Sequence, residues 1–224
     1  MLHRPSVIVF DVNETLSDLT PMADRFTDVG APGALAKPWF AAVLRDGFAL
    51  AAVGSQAPFA VIGDATLRTL LTSLPLDRDL DAAVEHIMSG FTALPVHPDV
   101  PDGVRALRAA GLRLVTLSNG AASVAETLLD RAGIRDQFEA ILSVQDAGVW
   151  KPVRAAYEYA AHRCDVAPEE LLLVAVHPWD LDGASRAGLS TAWIDRAQTP
   201  YPAFFTPPSV TIAALTELPA ALPT

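Results

Sequence analysis

The chain has 224 residues, enough for one domain or for one core carrying an insertion, and 51% of them are apolar. With 19% charged residues it is not a disordered polymer, and a net charge of −10 leaves no basic footprint for nucleic-acid phosphates. A single cysteine, Cys164, excludes an intramolecular disulfide and speaks against a cysteine-built metal site; it reads as an inert small hydrophobe.

The first predicted element is a buried strand in "SVIVFD", which ends on Asp11. Its apolar run is too short for a signal-peptide core, so a cytoplasmic protein is expected. From about Ser17 to Pro98 no good strand follows. Helices are predicted around Pro21–Asp28, Ala34–Ala52, Phe59–Leu74 and Asp79–Gly90, punctuated by Pro and Gly. The most apolar part, Phe40 to Ile62, is interrupted by "RDG" and by Gly54-Ser55-Gln56 and does not read as a membrane span. Strands and helices then alternate. The helix "PDGVRALRAAG" precedes the strand "LRLVTLSN", and the helix "AASVAETLLDRAG" precedes the strand "FEAILSV". The helix "VRAAYEYAAHRC", the strand "LLLVAV", the short helix "DGASRAG" and the strand "STAWID" complete the series. A Pro-rich tail holds one more strand-like piece, Val210–Ile212.

Strands without polar alternation are strands covered on both faces, and their alternation with helices implies a doubly wound parallel α/β sheet. The core is expected from residues 1–16 and 98–224, with 17–97 inserted as a helical lid over the carboxyl ends of the strands, where ligands bind in open α/β sheets. Polar groups collect at those ends. The first strand runs into Asp11-Val12-Asn13-Glu14-Thr15, the second into Ser118-Asn119-Gly120, and the third leads to Lys151-Pro152. The fourth ends at His177-Pro178-Trp179-Asp180. From spacing alone Ser118 and Asn119 could be turn formers, Lys151 a solvated lysine, and Asp180 an N-cap of the following helix.

"DVNETL", "LSNG", "KP" and "WDLDGA", in this order, resemble the four motifs of the haloacid dehalogenase superfamily, in its L-2-haloacid (type II) branch with a helical cap. The resemblance spans nearly the whole chain. It implies a Rossmann-like core with an inserted cap, Asp11 as nucleophile, and Thr15 hydrogen-bonded near it. Lys151 is implied as the cation that keeps Asp11 ionised, and His177 or Asp180 as the group that orients or activates water. Implied substrate contacts are Val12, Asn13, Ser118, Asn119, Tyr157 and Trp179 in the core, with Trp39, Phe40 and Arg45 in the cap. Ser118 and nearby backbone N–H groups would hold a carboxylate, and Asn119 would help receive a halide.

Position 13 discriminates between chemistries. Phosphatases of the superfamily carry an acid there, because an alkoxide leaving group needs a proton. Asn13 can donate a hydrogen bond but cannot transfer a proton at neutral pH. Chloride and bromide leave as stable anions. Those phosphatases also place two acids after the fourth strand to bind Mg²⁺, and here the earlier position falls near Val176. The expected reaction is therefore hydrolysis of a short 2-haloalkanoic acid through an aspartyl ester, releasing halide and a 2-hydroxy acid. No cofactor and no metal are expected, the partner is a small-molecule haloacid, neither nucleic acid nor membrane is involved, and a homodimer is expected as in relatives. A Mg²⁺-dependent phosphatase and a catalytically weak binding protein of the same fold stand as alternatives.

Three positions depart from the branch. Phe40 follows Trp39 where an arginine usually grips the halide, with Arg45 five residues on. Ala175 stands for a serine, and His177 for an asparagine.

Overall fold

Continuous runs of Val, Ile and Leu become six parallel strands of one sheet, as buried strands without alternation should. They are β1 (Val7–Phe10), β2 (Arg113–Ser118), β3 (Ala140–Ser143), β4 (Leu171–Ala175), β5 (Ser190–Ile194) and β6 (Val210–Ile212). Their spatial order is β3-β2-β1-β4-β5-β6. The computed structural model describes residues 4–223. By contact density the chain divides into two units, one running up to Ser17 and resuming at Pro95, the other covering Asp18–Leu94.

In the first unit the helices α5 (Val100–Ala109), α6 (Ala122–Arg131), α7 (Val144–Ala147), α8 (Arg154–Cys164), α9 (Pro178–Arg186) and α10 (Leu218–Ala221) connect and flank the strands. The second unit holds α1 (Met22–Thr27), α2 (Ala36–Ala52), α3 (Phe59–Leu71) and α4 (Leu80–Phe91). This order reverses direction between β1 and β4, and such a switch point leaves a crevice at the carboxyl ends of the two central strands. Ile8, Phe10, Leu114, Leu172, Val174 and Ile194 form one buried apolar cluster with residues of α5 and α6. Burying each such side chain contributes about 1.5–3 kcal/mol. Where the chain leaves and re-enters this unit, Ser17 pairs with Val96 in an antiparallel bridge. The His97 amide donates to the Leu16 carbonyl at 2.9 Å beside it.

The helical unit has its own aromatic centre. Phe59 stacks on Phe91 with centroids 5.0 Å apart, and Trp39 meets Phe91 edge-on at 5.7 Å. The α4 helix starts where Asp79 accepts from the Ala82 amide, an N-cap of the kind its sequence position suggests.

Three local expectations are corrected. The strand read through Val144 stops at Ser143, because the Ser143 hydroxyl accepts from the Gln145 amide and starts α7. The helix read to Leu74 ends at Leu71. The helix read from "DGASRAG" begins four residues earlier at Pro178, with His177 at the N-cap position, so Asp180 lies inside the first turn and is not the cap. Among the described residues no helix is long and apolar enough to cross a membrane.

Candidate active site

Asp11 directly follows β1. Its amide donates to the Val174 carbonyl at 3.1 Å, carrying the β1–β4 ladder one residue beyond the strand. The next residues turn tightly: Leu16 and Ser17 both donate their amides to the Val12 carbonyl. A helical turn brings residues four apart onto one side, and here it returns Thr15 to Asp11, where its hydroxyl donates to Oδ2 at 2.7 Å. The same hydroxyl accepts from the Val176 amide at 3.1 Å. Val12 turns its side chain into the apolar cluster of the sheet. Only its main chain is therefore left for the substrate contact expected of it.

Lys151 is fully buried, with Nζ 2.9 Å from Asp11 Oδ1 and 2.5 Å from Asp180 Oδ2. It is not a solvated lysine. An unpaired ammonium at such depth is very costly, so two carboxylates around it are what the burial demands. Asn119 fixes the loop: its Oδ1 accepts from the Lys151 amide at 3.0 Å and its Nδ2 donates to the Lys151 carbonyl at 3.4 Å. One N–H of the Asn119 amide is thus used on the Lys151 main chain, and the amide nitrogen carries a second one. Ser118 is buried, and its Oγ accepts from the Gly120 amide at 2.9 Å, so it is a turn former as well as a strand end. A Cβ at Gly120 would sit 3.2 Å from that oxygen, a tight approach, and 3.7 Å from the Asn13 amide nitrogen, an ordinary contact.

Asp180 is held from both sides. Tyr157 donates its hydroxyl to Asp180 Oδ1 at 2.6 Å. The approach of α9 to Tyr157 requires Gly183, where a Cβ would lie 2.7 Å from the phenolic oxygen. Tyr157 thus contributes through Asp180. Trp179 stacks on the His177 ring with centroids 5.1 Å apart, and Lys151 Nζ lies 5.9 Å from the centre of its indole.

His177 faces two carboxylates. Nδ1 is 3.1 Å from Asp11 Oδ2 and Nε2 is 2.8 Å from Glu14 Oε2. Glu14 was not among the expected site residues. Its contact with His177 joins residues 163 apart in sequence, which local spacing does not announce. Its φ of +62° is left-handed, which costs a residue other than glycine about 1–3 kcal/mol. Contacts on three sides hold it there. Its amide donates to Ser17 Oγ, its carbonyl meets His97 Nε2, and its carboxylate meets His177.

The protonation states follow from these contacts. Burial alone would raise the Asp11 carboxyl, but the Lys151 charge and the His177 hydrogen bond outweigh it and hold Asp11 far below the usual carboxylate range. Asp180 moves the other way: burial and the nearby Asp11 charge outweigh Lys151, and its carboxyl is raised. For His177 burial pulls downward, yet the hydrogen bonds and charges of Asp11 and Glu14 prevail and push the imidazole up to about 9. Two carboxyls a few ångströms apart are thus driven in opposite directions, the pattern expected where one must stay ionised and the other must exchange a proton.

The cap residues are engaged within the helical unit. Trp39 is buried and donates its indole N–H to the Gly63 carbonyl at 3.1 Å. Phe40 packs against Phe59 and Phe91. Arg45 is largely exposed and spends its guanidinium on the adjacent Asp46 at 2.7 Å, beside a groove of about 840 Å³ between α2 and α3. Trp39 and Phe40 thus pack within the helical unit, and Arg45 is paired with its neighbour. Among the described residues no group of three or more His, Cys, Asp or Glu is arranged to hold a metal ion.

A family model described as haloacid dehalogenase-like hydrolase matches residues 5–188, and the chain belongs to that family. It is 31% identical over 193 residues to an (S)-2-haloacid dehalogenase of Pseudomonas sp. (strain YL), covering 84% of this chain and 82% of the relative. A solved dehalogenase with intermediate complex aligns over 100% of both chains with a TM-score of 0.92 at 27% identity. The L-2-haloacid dehalogenase from Xanthobacter autotrophicus with chloropropionic acid covalently bound aligns over 96% of this chain and 97% of its own, with a TM-score of 0.86 at 25% identity.

Proposed function

We propose that the protein is a hydrolytic 2-haloacid dehalogenase for short 2-haloalkanoic acids, with Asp11 as nucleophile. The observation that carries this reading is a buried Asp11 held ionised beside Lys151, with an amide and not an acid at position 13. Such a pair can displace a group that leaves as a stable anion, and it lacks the acid that an alkoxide leaving group needs. Asp11 attacks the carbon bearing the halogen in line and expels halide with inversion. Water then hydrolyses the ester and releases a 2-hydroxy acid.

Lys151 keeps Asp11 ionised and bridges it to Asp180. Asp180, raised toward neutrality by burial, takes the proton of the hydrolytic water. Ser118 donates its hydroxyl proton to the substrate carboxylate, since its oxygen already accepts from Gly120. The names of the relatives support the substrate class, and the covalently bound chloropropionic acid in the neighbouring structure supports the ester. Residues 17–97 act as a cap in this reading. Self-association into a homodimer accompanies it and is read by sedimentation.

The test is halide release from chloro-, bromo- and fluoroacetate and from both 2-chloropropionate enantiomers, with and without EDTA. Halide release insensitive to EDTA, an inverted lactate product, and solvent ¹⁸O appearing in Asp11 before it appears in product are expected. Turnover of p-nitrophenyl phosphate that is lost with EDTA, without any halide release, would overturn the reading in favour of a phosphatase.

A further inference from the structure

We propose that His177, clamped between Asp11 and Glu14 with both ring nitrogens donating, is the charged oxyanion donor of the ester-hydrolysis step. Glu14 is the positioning residue that keeps it protonated. The inference rests on the dehalogenase reading above and concerns its second half-reaction.

The argument begins with counting lone pairs. Ionised carboxylates only accept hydrogen bonds, and a neutral imidazole has one bare nitrogen. With Nδ1 at 3.1 Å from Asp11 and Nε2 at 2.8 Å from Glu14, a neutral ring would point a lone pair at a carboxylate. Both nitrogens therefore carry protons, and the ring is a cation. It cannot accept the proton of a water molecule in that state. The groups around it are consistent: Asp11 and Glu14 on its edges, Trp179 stacked on its face, and Lys151 on the far side of Asp11.

The two oxygens of Asp11 are also unequal. Oδ2 accepts from both Thr15 and His177, whereas Oδ1 accepts from Lys151. Oδ1 keeps a lone pair for attack. In the first step that pair forms the carbon–oxygen bond while the carbon–halogen bond breaks and halide departs with its electrons. Oδ2 becomes the ester carbonyl oxygen, already seated on two donors.

In the second step water adds to Cγ, one of its protons passes to Asp180, and the carbonyl π pair moves onto Oδ2. The developing oxyanion lies between the His177 N–H and the Thr15 O–H, as preorganised donors should be placed. Collapse breaks the Cγ–Oδ1 bond. Asp180 returns its proton to the departing alkoxide, the second water proton goes to solvent, and the Asp11 carboxylate is restored. A carboxylate on Nε2 makes this donor permanent at neutral pH, which accounts for an acid at a left-handed position otherwise suited to glycine.

The test separates the two half-reactions. With (S)-2-chloropropionate, rapid-quench halide release reports ester formation, and intact-protein mass reports the alkylated enzyme. In H177A the first-turnover halide burst slows far less than steady-state turnover does. Steady-state turnover falls by about 10²-fold, the usual loss of one oxyanion donor, and alkylated protein accumulates. In E14Q the ester also accumulates, and the alkaline fall of the steady-state rate moves down by about one pH unit as His177 loses one of its two anions. H177Q, which retains an amide donor at greater reach, provides a second folded variant. Equal slowing of burst and steady state in H177A, or a wild-type rate that climbs as His177 loses its proton, would overturn the inference while leaving the dehalogenase reading intact. A wild-type enzyme that turns over without any alkylated intermediate would remove both.

Discussion

The Tyr157 hydroxyl stands 2.6 Å from Oδ1 of Asp180, and Lys151 Nζ stands 2.5 Å from the other oxygen of the same carboxylate. One neutral and one charged donor thus define the orientation of a group that burial pushes toward protonation. In Tyr157→Phe that carboxyl rises further and loses its fixed plane. Turnover is expected to drop by about tenfold, with a stability loss of about 1–3 kcal/mol for the buried acceptor left unpaired. Steady-state kinetics and urea unfolding check both numbers, and an unchanged acidic limb of the pH–rate profile would contradict the role of Asp180.

Lys151 is the keystone of a buried three-charge array. Replacing it by Met keeps the length of the side chain and removes the cation that Asp11 and Asp180 share, leaving His177 on Asp11 and no cation on Asp180. One of the two must then take up a proton at neutral pH, and stability falls by about 3–5 kcal/mol. Denaturant unfolding measures the loss. Halide release should fall steeply, because Asp180 takes the proton and Asp11 loses the charge beside its attacking oxygen. Normal unfolding behaviour with undiminished activity would argue against the array.

Asn119 offers a test of position against contact. Its amide brackets the Lys151 main chain on both sides. Asn119→Ala should slow chloride, bromide and fluoride substrates by the same factor, since what is lost is the seating of Lys151. A loss that grows steeply from bromide to fluoride would instead assign the amide to the leaving group.

The pH dependence of folding carries the sign of the His177 shift. Its value rises from 6.5 to about 9 on folding. The stabilisation is complete below the unfolded value and drains away as pH climbs through the folded one, up to about 3 kcal/mol in all. The stability gap between wild type and His177→Asn should therefore narrow between about pH 6 and about pH 10. Asp11, depressed on folding, acts oppositely: its contribution is present above the ordinary carboxylate value and is lost on acidification. Urea titrations across that range decide the matter; a constant gap would contradict the ion pairs of His177.

The sheet was readable because buried parallel strands betray themselves as runs such as "LLLVAV", and because each run stops on a polar residue at the same edge. That pattern brought Asp11, Lys151, His177 and Asp180 together before any coordinates. What escaped depended on pairing across distance. Glu14 meets His177 only because β1 and β4 are neighbours, a fact no local window contains. Asn119 and Tyr157 were recognised as site residues, but nothing in their spacing says that one holds a main chain and the other a carboxylate. The four-residue helix α7 is similarly hidden, since four residues carry no periodicity.

Thr15 has one proton to give, and the Val176 amide occupies a lone pair of its oxygen. The hydroxyl rotor is thereby braked, with its hydrogen aimed at Asp11 throughout the cycle. This small strut ties together the tips of two central strands just past their regular pairing. The reactive carboxylate can then change from anion to ester and back without its scaffold having to be re-set between turnovers.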